Sequence, residues 1–484
     1  MWWIYRKITA EWRIAWMCGG FLVGVSLVLY TQVAASLGFL AAVLSIFSFL
    51  NGRFYATALL FLGMVGVGLG YGSGVYKQER SVYVPLIGHQ VAVTGYVKED
   101  ATTGPSGATS LQLGSVQIRG SPYGGSVFVS SRLGASIPLR GDEVTFTGIA
   151  EEGFGNFSIT LKNAQLTGIH RQQMRDPGRL VRDWFASRVR MVIDEPQASL
   201  GIGYLTGQKS SLPDDLTQAL KVAGLTHIVV ASGYNLTILV RLARKAFLRV
   251  SKFSAAMAAL GMVTLFMAMT GLSPSMTRAG IVSGLSVLFW YYGRKVHPLI
   301  LLVVVAAATA AYQPSYTWGD LGWQLSFGAF FGVMIIGPLL QRYFYGDKPP
   351  GIVRQTLGET IAAHIATVPI IALQFGVVSN VAIIANLLVV PLVPLAMLLT
   401  FVCGLWGAIG LGFSDIVAMP TQWLLEYMIA VARYVSEIKW AQGEISYGVL
   451  FWLVYLIITL GACWWMWRAS RYNLRTGDAL APQS

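Results

Sequence analysis

Charged residues are scarce in this chain. They account for 12% of its 484 residues, whereas hydrophobic residues account for 55%, and the mean hydropathy is +0.58. A soluble protein of this length carries roughly twice that share of charge. The composition therefore argues against a soluble globular protein and predicts a polytopic α-helical membrane protein.

Motifs of catalysis and metal binding are missing as well. The three cysteines form no Cys-x-x-Cys pair, and the five histidines show no His-Glu-x-x-His or His-x-His-x-Asp-His spacing. The chain has no Gly-x-x-x-x-Gly-Lys-Ser/Thr loop of the kind that holds ATP phosphates. We therefore expect no catalytic residue, no metal site, no cofactor and no enzymatic activity.

Apolar runs long enough to cross a bilayer, about 20 residues each, recur along the chain. The basic and apolar start has no small-residue cleavage site, so no cleavable signal is predicted. Lys and Arg gather in the short loops between the runs, which is the bias that marks cytoplasmic loops. The pattern predicts about 10–11 membrane spans, with both termini in the cytoplasm.

One stretch has no run of spanning length, because residues 77–170 are rich in Gly, Ser, Thr and Val. Segments that alternate apolar and polar residues predict strands at 90–97, 110–118, 126–130, 143–149 and 157–166. Short strands separated by Gly- and Pro-containing turns are typical of small sandwiches and barrels. We expect one small extracytoplasmic all-β domain, with an OB-fold as the leading candidate.

This stretch divides the chain. A three-span region (1–76) precedes the β domain (77–170), a longer polytopic region (171–467) and a cytoplasmic tail (468–484). The polytopic region is predicted to begin with an amphipathic helix in the membrane interface. The predicted apolar face of that helix is Leu180, Val181, Trp184, Phe185, Val189 and Val192, opposite Arg179, Arg182, Arg188 and Arg190.

Polar residues inside the apolar runs are the candidates for function. An ionisable side chain at the bilayer centre costs at least about 2.5–3.5 kcal/mol, so such a group needs a partner or a cavity. The candidates for a hydrated path are His227, Ser232, Gly233, Asn235, Arg278, Gln324, Ser326 and Asn386. The alternative is that these small and polar residues only hold helices together, and residue type alone favours this second interpretation.

Four segments carry these residues, and in this order they resemble the ComEC family of competence DNA-uptake channels. The segments are LGIGYLTGQKSSLPDDLTQALKVAGLTHIVVASGYNLTILV (200–240), SPSMTRA (273–279), DLGWQLSF (320–327) and ANLLVVPLV (385–393). The family often has Leu-His where this chain has Tyr234-Asn235. Many members also carry a C-terminal metallo-β-lactamase-like domain, and this sequence shows no such motif.

The resemblance implies that residues 171–467 form a competence channel through which single-stranded DNA crosses the membrane. It also implies an extracytoplasmic DNA receptor, a separate nuclease that degrades the other strand and a cytoplasmic DNA-translocating ATPase, beside membrane lipid. Two other functions stay open: a secondary transporter of a small solute and a non-transporting scaffold of an uptake machine. Paired halves, which are typical of transporters, are not visible in the sequence.

The β domain has weaker signals for DNA. Its candidate contacts are Tyr96, Arg119, Tyr123, Phe128 and Lys162, and Phe157 is a further aromatic residue. OB-folds bind single strands by combining stacking aromatics with a basic groove. Residues 81–168 have five basic and six acidic residues, however, so the sequence predicts no basic patch there.

Overall fold

The computed structural model describes residues 9–30, 54–103, 107–118, 120–133, 137–171, 176–208, 212–229, 232–271, 273–294, 296–346, 350–410, 413–444 and 448–470. The chain divides into two units. The first consists of Met1–Asp176 and Pro298–Gln324, and the second of Pro177–His297 and Leu325–Ser484.

Strands build a barrel in the first unit. They are β1 (Gln90–Val97), β2 (Thr102–Thr103), β3 (Thr109–Ile118), β4 (Ser121–Pro122), β5 (Val127–Ser131), β6 (Glu143–Glu152) and β7 (Ile159–His170). The order β1-β6-β7-β5-β3 closes through a β1–β3 pairing, and only the β5–β7 pair is parallel. The prediction of a small five-stranded β domain is confirmed, and its closed barrel is consistent with an OB-like fold.

The alternation of apolar and polar residues along the strands explains how the barrel forms its core. In β6 the residues Val144, Phe146 and Ala150 are buried, and their neighbours are half-buried or exposed. The same alternation in β1 buries Val91 and Val93. Successive side chains of a strand point to opposite faces, so this pattern places one face of β1 and of β6 in the core.

Helices account for most of the remaining described residues. In chain order they are α1 (Ala10–Ser26), α2 (Phe54–Tyr83), α3 (Pro177–Arg190), α4 (Gln197–Thr206), α5 (Asp214–Val222), α6 (Thr226–Val229), α7 (Gly233–Phe247), α8 (Lys252–Thr270), α9 (Pro274–Tyr291), α10 (Pro298–Tyr312), α11 (Tyr316–Gly319), α12 (Leu321–Phe331), α13 (Gly337–Tyr345), α14 (Ile352–Phe375), α15 (Ala382–Val389), α16 (Val393–Ile409), α17 (Ser414–Ser436) and α18 (Val449–Ser470). A short antiparallel pair, β8 (Val377–Ser379) and β9 (Gln442–Glu444), lies in the second unit.

Six stretches of the described residues are long and apolar enough to cross a membrane. They are Thr57–Leu86, Lys252–Thr270, Leu321–Tyr345, Val353–Phe375, Ala382–Ile409 and Leu450–Ser470. The apolar run at 33–50 lies outside the described residues, and the larger number of spans and the cytoplasmic termini stay predictions. In the run after residue 380, a 3₁₀ turn at Val390–Leu392, which contains Pro391, interrupts the helix.

The helix α3 differs from its prediction. Phe185 and Val189 of the predicted apolar face are buried, and so is Arg182 of the basic face, whereas Leu180 and Trp184 are exposed. The location of α3 in the membrane interface stays a prediction. The Arg182 Nε donates to Asp183 Oδ1 at 2.9 Å. A hydrophobic stripe does not reveal which of its residues face protein, because lipid accepts apolar side chains as readily as a protein core does.

Candidate functional site

The Ser-Gly step of the first segment interrupts a predicted membrane run. The helix α6 ends at Val229, and α7 begins at Gly233 with Ser232 as its N-cap residue. The Ser232 Oγ accepts from Asn235 N at 3.4 Å and donates to Asn235 Oδ1 at 3.3 Å. Ser at an N-cap satisfies an amide that the helix itself leaves without a partner, so the sequence favours a helix start at this point.

Asn235 connects the break between α6 and α7 to other parts of the second unit through hydrogen bonds. Its side chain is fully buried, and its Nδ2 donates to Tyr204 O at 3.1 Å and to Ile228 O at 3.4 Å. These bonds satisfy carbonyl oxygens near the ends of α4 and α6. Asn235 therefore has a clear structural role at the start of α7.

The starts of α7 and α9 and the middle of α12 meet at one place. A Cβ on Gly233 would lie 3.2 Å from Ala279 Cβ and 3.7 Å from Phe330. Next to Ala279, Arg278 is only 2% exposed, and its guanidinium carbon lies 5.4 Å from the centroid of the Phe327 ring. Three of the four segments thus converge around a buried arginine, and we call this place the convergence site.

Exposed polar side chains flank the buried Asn235. Tyr234 is 44% exposed, and both Glu359 and Arg241 lie near enough to act electrostatically on its hydroxyl. His227, the neighbour of Ile228, also has an exposed side chain. Both polar side chains are therefore accessible beside the break between α6 and α7.

Gln324 and Ser326 do not act as a pair. The Gln324 Nε2 donates to Thr317 O at 3.1 Å within the first unit, whereas the half-buried Ser326 belongs to the second unit. The hydrogen bond of Gln324 fits the interpretation that it holds the α11–α12 turn together. Among the described residues of the second unit, no hydrogen bond joins Ser326 to Asn235.

Asn386 differs from Asn235. It is buried in α15, and its Oδ1 has no hydrogen-bond partner among the described residues. The large majority of buried polar side-chain atoms are paired, so an exception calls for an explanation. A polar ligand that is present only during function is one such explanation.

An aromatic cluster of Phe128, Phe154 and Phe157 lies on the outside of the barrel. Their ring centroids are 5.0 to 5.3 Å apart, and Phe154 is 55% exposed. Sequence reasoning named Phe128 and Phe157 and missed Phe154. The available signal was a second aromatic residue three positions before Phe157, in the segment between two predicted strands.

The other barrel candidates are placed less favourably for stacking. Tyr123 packs against Tyr83, with ring centroids 6.1 Å apart, and Tyr96 is half-buried on β1. Lys162 forms an exposed ion pair with Glu151 at 3.0 Å. Arg119 lies outside the described residues.

Lys98 supplies a cation near the aromatic cluster that sequence reasoning did not single out. Its Nζ donates to Ser126 Oγ at 2.7 Å, two residues before Phe128. Partial removal of this ammonium from water lowers the pKa of Lys98, and the charge of Glu99 opposes the shift.

The loop that carries Phe154 and Phe157 is docked on the start of α12. A Cβ on Gly319 would overlap Gly155 O, so the two backbones touch there. The Asn156 Nδ2 donates to Asp320 Oδ2 at 3.2 Å, and the other oxygen of Asp320 accepts from Trp323 N at 2.6 Å. The first residue of the DLGWQLSF segment therefore caps its own helix and holds the barrel loop at the same time.

The fold and these sites define a class of protein. The six apolar helices found among the described residues support a multi-pass membrane protein, and a small closed β-barrel is part of it. No group of three metal-ligating side chains is found among the residues that the structure describes.

The sequence model of the Competence protein family matches residues 204–470, which is more than half of the chain, and the chain belongs to this family. The matched region contains the convergence site and leaves out the barrel. The chain is also similar to ComE operon protein 3 of Bacillus subtilis (strain 168), with 22% identity over 204 residues. The alignment covers 40% of this chain and 25% of that relative. No solved structure matches the chain.

Proposed function

We propose that this protein forms a channel that carries single-stranded DNA across the cytoplasmic membrane of a bacterium during natural transformation. Membership of the Competence protein family supports a role in DNA uptake. The observation that carries the proposal is the convergence site, where Gly233, Arg278 and Phe327 bring three separate segments around one buried cation.

The chemistry of the convergence site fits a phosphate backbone. Each nucleotide carries a negative charge, and a low-dielectric path raises the cost of that charge. A guanidinium keeps its own charge in such surroundings and offers forked donors that match phosphate. Gly233 and Ala279 are small, so the starts of α7 and α9 approach each other closely beside this cation.

The barrel contributes a second kind of contact. Phe154 and its two neighbouring rings offer apolar faces on which bases stack without regard to sequence. The domain has no excess of basic residues, so stacking rather than charge attraction would hold the strand there. Docking of the loop through Asn156 and Asp320 fixes the position of these rings.

The proposal implies partners. A receptor outside the membrane would supply duplex DNA, a separate nuclease would remove one strand, and a cytoplasmic ATPase would pull the other. The channel itself would need no cofactor and would perform no covalent chemistry.

A transformation assay tests the role of Arg278. In a deletion strain complemented with this chain, Arg278→Ala should lower the uptake of labelled DNA by about tenfold or more, because a barrier increase of about 1.4 kcal/mol already has that effect. Arg354→Ala is the matched control, since Arg354 is exposed and also lies over an aromatic ring, that of Tyr345 at 5.1 Å.

Membrane amounts of each variant must be equal for this comparison. Normal uptake with both Arg278→Ala and Asn386→Leu would contradict the channel and leave a non-transporting scaffold as the better account. A loss that is equal in Arg278→Ala and Arg354→Ala would also remove the support that the convergence site gives.

A further inference from the structure

We infer that one end of the α7–α8–α9 group is a binding site for the phosphate headgroups of anionic phospholipids. We call this surface the basic end. Its cations are Arg241, Arg244, Lys245, Arg249, Lys252 and Arg294. The inference is independent of the proposed function, because it concerns the surface at the far ends of α7 and α9 from Gly233 and Arg278.

Uncompensated positive charge is the first argument. Residues 216–319 contain nine Lys and Arg and no Asp or Glu, and six of the nine lie at the basic end. The C-terminus of α7 accounts for part of this charge, because Arg244 and Lys245 lie in its last turn and a helix dipole favours cations there. That effect is confined to the last turn, so it does not account for Arg249, Lys252 and Arg294.

The cations are arranged around aromatic rings. The Arg244 guanidinium carbon lies 4.9 Å from the centroid of the Trp290 ring, and Lys252 Nζ lies 5.6 Å from it. Lys252 Nζ is also 5.8 Å from the Tyr291 ring, whose centroid is 6.3 Å from that of Phe253. These contacts join the three helix ends into one surface of the kind found at membrane interfaces, where Trp and Tyr accompany Lys and Arg.

Exposed apolar side chains identify the ligand as lipid. Phe247, Leu248 and Phe253 are exposed between the cations, and Val250 is 76% exposed. A nucleic-acid strand would pair with the charges, but its bases stack on aromatic rings and would leave Leu248 and Val250 in water. A phospholipid satisfies both kinds of group, because its phosphate meets the cations and its acyl chains cover the apolar residues.

Lipid titration of the full-length protein tests the site. The protein is placed in nanodiscs of phosphatidylcholine, phosphatidylglycerol is added in steps, and bound lipid is followed by native mass spectrometry and by hydrogen exchange of residues 241–253. The double variant Lys245→Gln/Arg249→Gln leaves the two cations on Trp290 in place. It should weaken binding of phosphatidylglycerol by about tenfold, since each cation near a membrane surface adds to the attraction of anionic lipid.

Arg354→Gln/Arg468→Gln is the matched control. It removes two exposed cations that lie outside the basic end and should leave the affinity unchanged. Equal weakening in both double variants would overturn the inference in favour of general surface charge. A labelled oligonucleotide that binds in pure phosphatidylcholine nanodiscs through Lys245 and Arg249, with no response of these residues to phosphatidylglycerol, would also overturn it and assign the surface to nucleic acid.

Discussion

The β-barrel and the helical second unit both bury apolar side chains, but the surrounding solvent differs. Water surrounds the barrel, whereas lipid surrounds the apolar helices. In β6, buried Phe146 alternates with exposed or half-buried neighbours, because water covers the other face of the strand. In α8, Phe266 is buried, yet Met257 and Leu265 on the same helix are exposed and equally apolar. Burial of apolar side chains therefore drives folding of the barrel through the hydrophobic effect. In lipid the same burial stabilises the helices mainly through van der Waals packing.

The same substitution in both regions gives the largest expected contrast. Phe146→Ala should cost the barrel about 3–5 kcal/mol of unfolding free energy, because transfer and cavity terms add. Phe266→Ala should cost about 1–2 kcal/mol. When the helices separate, Phe266 becomes exposed to lipid and not to water, so the substitution removes packing contacts but no hydrophobic stabilisation. Hydrogen exchange of the full chain in nanodiscs, read in the strands β3 and β7 and in the helices α7–α9, measures both.

The control for Phe146→Ala is Ile149→Ala, which removes an exposed side chain from the same strand and should change stability by about 0.5 kcal/mol or less. Equal losses in Phe146→Ala and Phe266→Ala would break the comparison, because they would show that both cores exclude water in the same way.

The two buried asparagines of the second unit give the next largest effect. Asn235→Leu leaves Tyr204 O and Ile228 O without their donor and should cost about 2–3 kcal/mol. Asn386→Leu removes a carbonyl oxygen that has no partner among the described residues, so its stability should change by about 1 kcal/mol at most or increase. Thermal unfolding in nanodiscs compares the two.

Uptake of labelled DNA shows whether Asn386 has a functional role beyond stability. We expect Asn386→Leu to lower uptake while its stability holds, since a polar group without a structural partner is best explained by a functional one. Equal destabilisation by the two substitutions would show that Asn386 is a structural residue after all.

The contrast between the regions also explains what the sequence could predict. The predicted strand at 90–97 has the same bounds as β1, because an alternation of period two records which face meets water. The sequence of α3 does not show in the same way which of its apolar residues are buried in protein. Trp184 and Phe185 look alike in the sequence, yet one is exposed and the other buried.

The candidate site was predictable only in its residue types. Ser232 at a helix start is a local signal, and the structure places it at an N-cap. The contact of Gly233 with Ala279 and the approach of Arg278 to Phe327 join segments about 45 to 50 residues apart in the chain. Nothing in the spacing of a single sequence reports which helix faces meet over such a separation.

Gly319→Ala tests whether barrel and helices are independent within the first unit. The added Cβ would overlap Gly155 O, and relieving that clash should cost about 1–3 kcal/mol at the docked loop. Faster hydrogen exchange in residues 153–158 is the expected result. Gly261→Ala is the control, because the space around that helical glycine is open, and unchanged exchange in both variants would show that the loop does not depend on this contact.

Phe154→Ala has the smallest expected effect on stability. It tests a function of the barrel surface without disturbing the barrel core. The side chain is more than half exposed, so the substitution should leave the unfolding of the barrel almost unchanged. Stacking of a base on an aromatic ring contributes about 1–3 kcal/mol, so binding of a labelled oligothymidine to the full chain should weaken by about tenfold. Fluorescence anisotropy in phosphatidylcholine nanodiscs measures this change.

Leu139→Ala is the matched control, since Leu139 is an exposed apolar residue of the same domain that offers no ring. Phe154→Trp should preserve binding, because an indole also stacks on bases, whereas Phe154→Leu keeps the apolar character and should behave like alanine. Full binding by Phe154→Leu would show that the cluster is ordinary apolar surface, and the barrel would then contact DNA elsewhere or not at all. Loss of binding in Phe154→Ala and Phe154→Leu with retention in Phe154→Trp would instead establish stacking, a type of contact that keeps its strength in water and therefore suits a domain outside the membrane.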